Sequence, residues 1–320
     1  MSTAATTALA SLLVCTPAVA FQQTSSPQSR PTFRSAVDLV SIAAVVRDRH
    51  GRFARGLRKE DFVVEEEGAR RDIVDFRSDD NAPVRIALLF DVSGSMRLAS
   101  RIDDARQTAR HLLSALRLGR AADEAAVFSF DMNLQSLQPF TSDADAIEKA
   151  LARVAPYGQT SLYDAIALTA HEVADTPPGD QRRRAVIVIT DGIDTSSRLT
   201  AERVSQIAAA IDVPVYVMTV ASDIDRDSME RPQSVSGLAE GALRVLAHYT
   251  GGELFVTSAP AHESIAARQI VDELRHQYVM ALTASTGSGW RRLSVKTRNK
   301  DLTVHARTGY AAGTRNEGSF

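Results

Sequence analysis

Oxygen-bearing side chains follow an apolar stretch of the chain at alternating positions. Residues 84–90 are apolar apart from Arg85, and this run ends in Asp91, which Ser93 and Ser95 follow at two-residue intervals. Carboxylate and hydroxyl oxygens are hard ligands that suit Mg2+, Mn2+ or Ca2+, and this spacing allows them to converge in a tight turn. The same residues could instead be structural, with a serine capping the following helix and Asp91 accepting backbone N–H groups. The motif alone leaves a divalent-cation site and a helix cap as alternatives.

Two further segments carry polar oxygens at related positions. Gly158 begins a turn that leads through Thr160 into a predicted helix, and the apolar strand 185–189 is followed by a threonine and then by Asp191. Carboxyl ends of parallel strands meet at one edge of a sheet, where α/β proteins also bind their ligands. We therefore expect Asp91 and Asp191 to lie on the same rim.

Together, these segments resemble the von Willebrand factor type A (VWA) domain with its metal-ion-dependent adhesion site. The oxygen ligands of that family are all present and in order: Asp91, Ser93, Ser95, Thr160 and Asp191. The resemblance implies Mg2+ as the cofactor, or alternatively Mn2+ or Ca2+. It implies that the hydroxyls bind the ion directly, while each aspartate binds it directly or through water. An incompletely neutralised ion would then bind an acidic residue of a protein partner.

Catalytic motifs are incomplete in this sequence. His171-Glu172 and His262-Glu263 begin like H-E-x-x-H but lack the second histidine, and neither a phosphate-binding nor a dinucleotide-binding glycine motif occurs. We expect a binding protein involved in adhesion or protein–protein interaction, and not an enzyme. Two alternatives stay open: metal-assisted hydrolysis, with Asp194 as the candidate base, and a structural cation site without a partner.

Composition and charge limit the classes of partner. The 320 residues are 44% hydrophobic and 24% charged, which suits a soluble protein with one mid-sized domain and a smaller one. The formal net charge of -2 provides no general attraction to nucleic acid, so we expect no nucleic-acid partner. The basic run Arg182-Arg183-Arg184 is interpreted as a solvated loop at the amino edge of the sheet, or alternatively as a basic docking patch.

The first residues resemble an export signal. Residues 1–20 contain a short apolar stretch, and Ala18-Val19-Ala20 supplies a small-x-small cleavage pattern. The apolar stretch is too short to span a bilayer, so we expect an exported protein, periplasmic or secreted, without a transmembrane span. Residues 21–35 are rich in Gln, Ser and Pro and are expected to form a disordered linker.

The remaining pattern predicts an α/β fold with flanking strands. Strands and helices alternate over residues 84–277, which predicts a doubly wound, mostly parallel sheet with one antiparallel hairpin strand. Residues 36–80 and 278–311 contain further strand patterns, too few in either segment to close a core. These patterns lie at 37–46, 61–65, 70–76, 278–283, 290–297 and 302–307. We therefore predict that the two segments form one small β-sandwich with the α/β domain inserted between them, and that residues 312–320 form a tail.

Two details of this organisation bear on function. The flanks carry Asp48-Arg49-His50-Gly51 and Arg307-Thr308-Gly309-Tyr310, a pattern similar to exported bacterial VWA-related proteins of the acidobacterial type. Residues 222–237 form a long polar connection that leaves a strand at the same rim as Asp91. This loop is expected either to help select the partner or to be a solvated insertion.

Overall fold

The computed structural model of the chain describes residues 39–98, 100–119, 123–156, 158–175, 180–210, 212–220, 235–257 and 260–313. Its strands are β1 (Leu39–Asp48), β2 (Phe62–Glu66), β3 (Ala69–Arg71), β4 (Asp75–Ser78), β5 (Val84–Asp91), β6 (Glu124–Phe130), β7 (Leu134–Thr141), β8 (Arg183–Thr190), β9 (Val215–Val220), β10 (Leu254–Thr257), β11 (Tyr278–Thr283), β12 (Gly289–Thr297), β13 (Leu302–Ala306) and β14 (Gly309–Ala312). Its α-helices are α1 (Arg101–Ala115), α2 (Ala144–Leu151), α3 (Leu162–Ala174), α4 (Ala201–Ala210), α5 (Val235–Thr250) and α6 (Pro260–Arg275). Short 3-10 helices occur at Lys59–Asp61 and Gly94–Arg97.

The central sheet has the order β10-β9-β8-β5-β6-β7. Its neighbouring strands are parallel except for β6 and β7, which form an antiparallel hairpin. Strand β5 is apolar on both faces because it is covered on both sides. Ile86, Leu88 and Phe90 join the core beneath α1, α2 and α6. Ala87 and Leu89 join the core beneath α3, α4 and α5. The predicted doubly wound, mostly parallel sheet with one antiparallel strand is therefore confirmed.

Strands from the two ends of the described chain pair with each other. One flanking sheet has the order β13-β1-β11-β4 and the other has the order β14-β12-β2-β3. In the first, β1 pairs with β11, and in the second, β2 pairs with β12. Apolar side chains from both sheets, among them Ile42, Val64, Met280 and Leu293, share one core. Because each sheet needs strands from both segments, neither segment closes this core alone.

The strand predicted at residues 70–76 is wrong in one respect. The chain forms two short strands there, β3 paired with β2 and β4 paired with β11, so it crosses from one flanking sheet to the other. Ile73 lies buried at the crossing, and the Val74 N–H donates to Ala281 O at 2.8 Å. The pairing of β4 with β11, about two hundred residues away, decides this crossing, and the local sequence does not specify it.

A buried arginine and an aromatic stack connect the flanking sheets to the α/β portion. The guanidinium of Arg307 is buried and donates to the carbonyls of Ala209 and Ser41. The rings of Tyr249 and Trp290 stack with centroids 4.8 Å apart. These contacts join α4 and α5 to strands of the flanking sheets, so both parts of residues 39–313 pack directly against each other.

Some predictions concern residues that the structure does not describe. The predicted signal peptide and linker lie within residues 1–38, and the predicted partner-selecting loop lies almost wholly within residues 221–234. Within the described ranges, no helix is both long enough and apolar enough to cross a membrane.

Candidate metal centre

The first predicted ligand segment lies at the end of the central strand. Asp91 is fully buried, and its Oδ1 accepts the Ser93 N–H at 2.8 Å, while its Oδ2 accepts the Thr190 hydroxyl at 2.6 Å. The hydroxyl oxygens of Ser93 and Ser95 lie 3.0 Å apart. Ser93 precedes a 3-10 helix but makes no side-chain capping bond. The turn therefore draws the two serine hydroxyls together and does not use Ser93 as a side-chain cap.

The second segment is tied to the first through its backbone. The Gly94 N–H donates to Gly158 O at 2.9 Å. Gly158 has a φ of +95°, a conformation that favours glycine, and a Cβ there would lie 3.0 Å from Oδ2 of Asp131. The glycine thus permits a close approach to Asp131, while the bond from Gly94 holds the turn beside the first segment.

Thr160 follows this turn and is buried. Its N–H donates to Thr195 Oγ1 at 3.0 Å, and its carbonyl accepts the N–H groups of Thr195 and Ser196 at 2.9 and 3.0 Å. These bonds fix the Thr160 backbone from one side of the rim. Among the hydrogen bonds between described residues, none uses the Thr160 hydroxyl, so that group is left for another ligand.

The third segment, at Asp191, contacts an arginine that sequence analysis missed. Asp191 is 5% exposed, and its Oδ2 pairs with Nη1 of Arg101 at 3.0 Å. The same nitrogen donates to Ser95 O at 3.1 Å, which links the first and third segments. Arg101 precedes Ala105 by one helical turn and shares its buried face. The position of a charged residue on this otherwise uncharged face of α1 could have indicated the pair from the sequence.

The other oxygen of Asp191 has a different environment. In the described part of the chain, Asp191 Oδ1 is buried and has no hydrogen-bond partner. Burying a carboxylate oxygen without a donor is costly, so such an atom indicates either a missing ligand or stored strain. An ion, or a water bound to it, would fit beside this oxygen.

The electrostatics of the rim also fit a cation. Burial first, and the neighbouring Asp191 carboxylate second, raise the pKa of Asp91 to about 6, although hydrogen bonds from Ser93 and Thr190 oppose the shift. Two acidic groups thus share a buried site with incomplete compensation, and a divalent cation would relieve their repulsion. Among described residues, no three His, Cys, Asp or Glu side chains are grouped to hold a metal ion. The predicted set differs from such groups because three of its five side chains carry hydroxyls and only two carry carboxylates.

Asp194, the candidate base for hydrolysis, is engaged elsewhere. Its Oδ1 accepts the Leu162 N–H at 2.8 Å and the Ser197 hydroxyl at 2.6 Å. These bonds hold the start of α3 against the loop that follows β8. The geometry gives Asp194 a structural task and offers no support for its role as a base.

Comparison with known proteins finds a family model that matches the part of the chain containing this rim. Residues 86–193 match the family model described as the von Willebrand factor type A domain. The matched range contains all the predicted ligands. Thrombospondin-related anonymous protein of Plasmodium falciparum is 30% identical over 124 residues, which are 36% of this chain and 22% of that protein. The chain therefore spans roughly a fifth of the length of that curated relative.

Solved structures with similar folds are more distant in sequence. A von Willebrand factor type A protein from Catenulispora acidiphila is 14% identical with a TM-score of 0.49, covering 88% of this chain and 75% of that one. The manganese-loaded TRAP protein of Plasmodium vivax is 15% identical with a TM-score of 0.45, covering 78% of this chain and 98% of that one.

Proposed function

We propose that this chain is an exported binding protein that holds a divalent cation and uses it to bind an acidic group on a protein partner. The ion is Mg2+, with Mn2+ or Ca2+ as alternatives. The observation that supports this proposal best is the buried Oδ1 of Asp191, which lacks a partner in the described structure and lies near a second buried carboxylate, Asp91. The family-model match over residues 86–193 supports the same assignment.

The proposed ligands have separate roles. Ser93, Ser95 and Thr160 bind the ion through their hydroxyls, and Asp91 and Asp191 bind it directly or through water. Hydroxyls carry no charge, and Arg101 already offsets part of the Asp191 charge through Oδ2. The bound ion therefore retains positive charge, which a carboxylate of the partner would neutralise.

The first step of the test uses Mn2+ as a magnetic probe. Bound Mn2+ enhances the relaxation of water protons only where water occupies part of its coordination sphere. We expect saturable enhancement with the metal-stripped chain, and its loss in an Asp91→Asn variant. A matched variant, Asp103→Asn, changes an exposed acid on α1 that pairs with Arg106 and should bind as the wild type does.

The second step asks whether the ion accepts an acidic ligand. Acetate should displace water from the protein-bound Mn2+ and reduce the enhancement, whereas neutral acetamide should not. Equal effects of acetate and acetamide would favour a structural cation over an adhesion site. Absence of saturable enhancement in the wild type would contradict the cation site itself.

A further inference from the structure

A basic pocket lies at the opposite end of the central sheet from the candidate metal centre. It opens beside the start of β8 and between strands β1, β4 and β11, with a volume of about 80 Å3. A cavity volume of about 10–15 Å3 suffices for one water molecule, so this pocket has room for a larger group. Its charged lining residues are Arg77, Asp180, Arg182, Arg183, Arg184 and Asp212. Arginines outnumber aspartates in this lining, so the pocket favours an anion.

Arg183 is the unusual member of this lining. It is only 8% exposed, which shows that the interpretation of residues 182–184 as a solvated loop is wrong for this side chain. Its Nη2 donates to Gln277 O at 3.3 Å, and its Nε is buried without a hydrogen-bond partner among described residues. Within the same described ranges, no carboxylate lies within ion-pairing distance of it. A buried guanidinium of this kind costs free energy unless something compensates its charge.

The acids near the pocket are paired with other arginines. Asp180 lies 3.0 Å from Arg182, and Asp212 lies 3.5 Å from Arg307. Asp79 and Asp212 act on Arg183 only at longer range, and burial first, with Arg77 second, lowers the pKa of Arg183. The local charges therefore leave the Arg183 cation undercompensated.

Arg77 supplies a second cation at the mouth of the pocket. Its side chain is 45% exposed, and it contacts Asp75 at 3.5 Å and Gln181 at 3.2 Å. Both contacts are exposed to solvent and the ion pair with Asp75 is long, so the guanidinium is able to reorient toward a bound anion. Arg77 lies on β4 and Arg183 on β8, so an anion between them would bridge a flanking sheet and the central sheet.

We propose that this pocket binds a compact oxyanion, phosphate or sulfate, between the guanidinium groups of Arg183 and Arg77. Planar guanidinium groups donate in pairs to such oxyanions, and charge-assisted bonds of this type are strong where water is partly excluded. The volume suits a free tetrahedral ion. The inference is independent of the proposed metal centre, since the two sites share no residue.

The proposal is tested by titrating inorganic phosphate into the metal-free chain by calorimetry, at constant ionic strength maintained with chloride. We expect saturable binding of one phosphate per chain. The variant Arg183→Met should weaken binding by roughly tenfold or more, because it removes the buried cation but keeps an unbranched side chain. Arg77→Gln should weaken it by a smaller factor. Sulfate should compete with phosphate.

Two controls separate this site from others. Arg203→Gln changes an exposed arginine on α4 outside the pocket and should leave phosphate affinity unchanged. The Asp91→Asn variant should also bind phosphate as the wild type does, which excludes binding through a metal ion at the other rim. If Arg183→Met does not fold, the exposed Arg77→Gln variant decides the question. Absence of saturable binding in the wild type, or equal affinity in Arg77→Gln and Arg203→Gln, would overturn the proposal and leave ordered water as the occupant.

Discussion

The two ends of the central sheet each bury an aspartate, but they shift the pKa of its carboxyl group in opposite directions. At the amino end, Asp123 is fully buried and accepts the N–H groups of Val84 and Arg117 at 3.0 and 2.7 Å, together with Arg275 Nη2 at 2.6 Å. Burial by itself would raise the pKa of Asp123, but the bonds from Arg275 and the backbone hold it below its usual value. At the carboxyl end, burial and Asp191 raise the pKa of Asp91 to about 6.

The difference lies in the donors that each site provides. Asp123 has a guanidinium and two backbone N–H groups, so it links the start of β5, the end of α1 and the end of α6. Of these two rim aspartates in the described structure, only Asp191 pairs with an arginine, and its Oδ1 has no partner there. Similar burial thus produces a structural link where donors are complete and a candidate cation site where they are not.

The largest expected effect on stability comes from removing the guanidinium that pairs with Asp123 at the amino end of the sheet. Arg275→Met leaves the buried Asp123 without its guanidinium and should lower the free energy of unfolding by about 3–5 kcal/mol. Urea denaturation of the metal-free chain measures this change. Arg110→Met breaks the half-exposed pair with Glu148 and should cost only about 0–1 kcal/mol. Similar losses in both variants would remove the distinction between a buried link and an ordinary surface pair.

At the carboxyl end of the sheet, removing a charge should raise the free energy of unfolding instead of lowering it. Asp91→Asn keeps the side chain's shape but cannot ionise, so it should stabilise the metal-free chain by about 1–3 kcal/mol at pH 7.5. The same variant should lose the stabilisation that Mg2+ gives to the wild type. Thermal unfolding with and without Mg2+ measures both effects. A metal-free variant less stable than the wild type would show that Asp91 is a structural link like Asp123.

A smaller effect should appear when pH is changed. The pKa of Asp91 is about 6 in the folded chain and near 3.8 when unfolded, so the folded state binds the proton more tightly. Lowering the pH from 7.5 to 5 should therefore stabilise the metal-free wild type relative to Asp91→Asn by about 1 kcal/mol. The comparison is the difference in free energy of unfolding between the two proteins at each pH. An unchanged difference would mean that Asp91 ionises normally and that the rim lacks the inferred repulsion.

These sites also mark what sequence could and could not predict. The apolar runs that precede Asp91 and Asp191 were sufficient to predict two parallel strands of one sheet with their acids on the same rim. Local spacing also indicated the turn that brings Ser93 and Ser95 together. Such features depend on periodicity and turn chemistry, which are encoded within a few residues.

Contacts between distant segments were not predictable in the same way. The Arg101–Asp191 pair joins residues ninety positions apart. The buried Arg183 donates to Gln277, ninety-four positions away, and the crossing near Ile73 depends on the pairing of β4 with β11. In each case the decisive neighbour comes from tertiary structure, which a local pattern does not specify.

The central claim is that the carboxyl rim binds a divalent cation through Asp91 and its neighbours. Isothermal titration of Mg2+, Mn2+ and Ca2+ into the metal-stripped chain, beside a folded Asp91→Asn variant, tests it most directly. The account predicts saturable binding of one ion per chain in the wild type and its loss in the variant. Absence of binding in the wild type, or equal binding in both proteins, would contradict the claim.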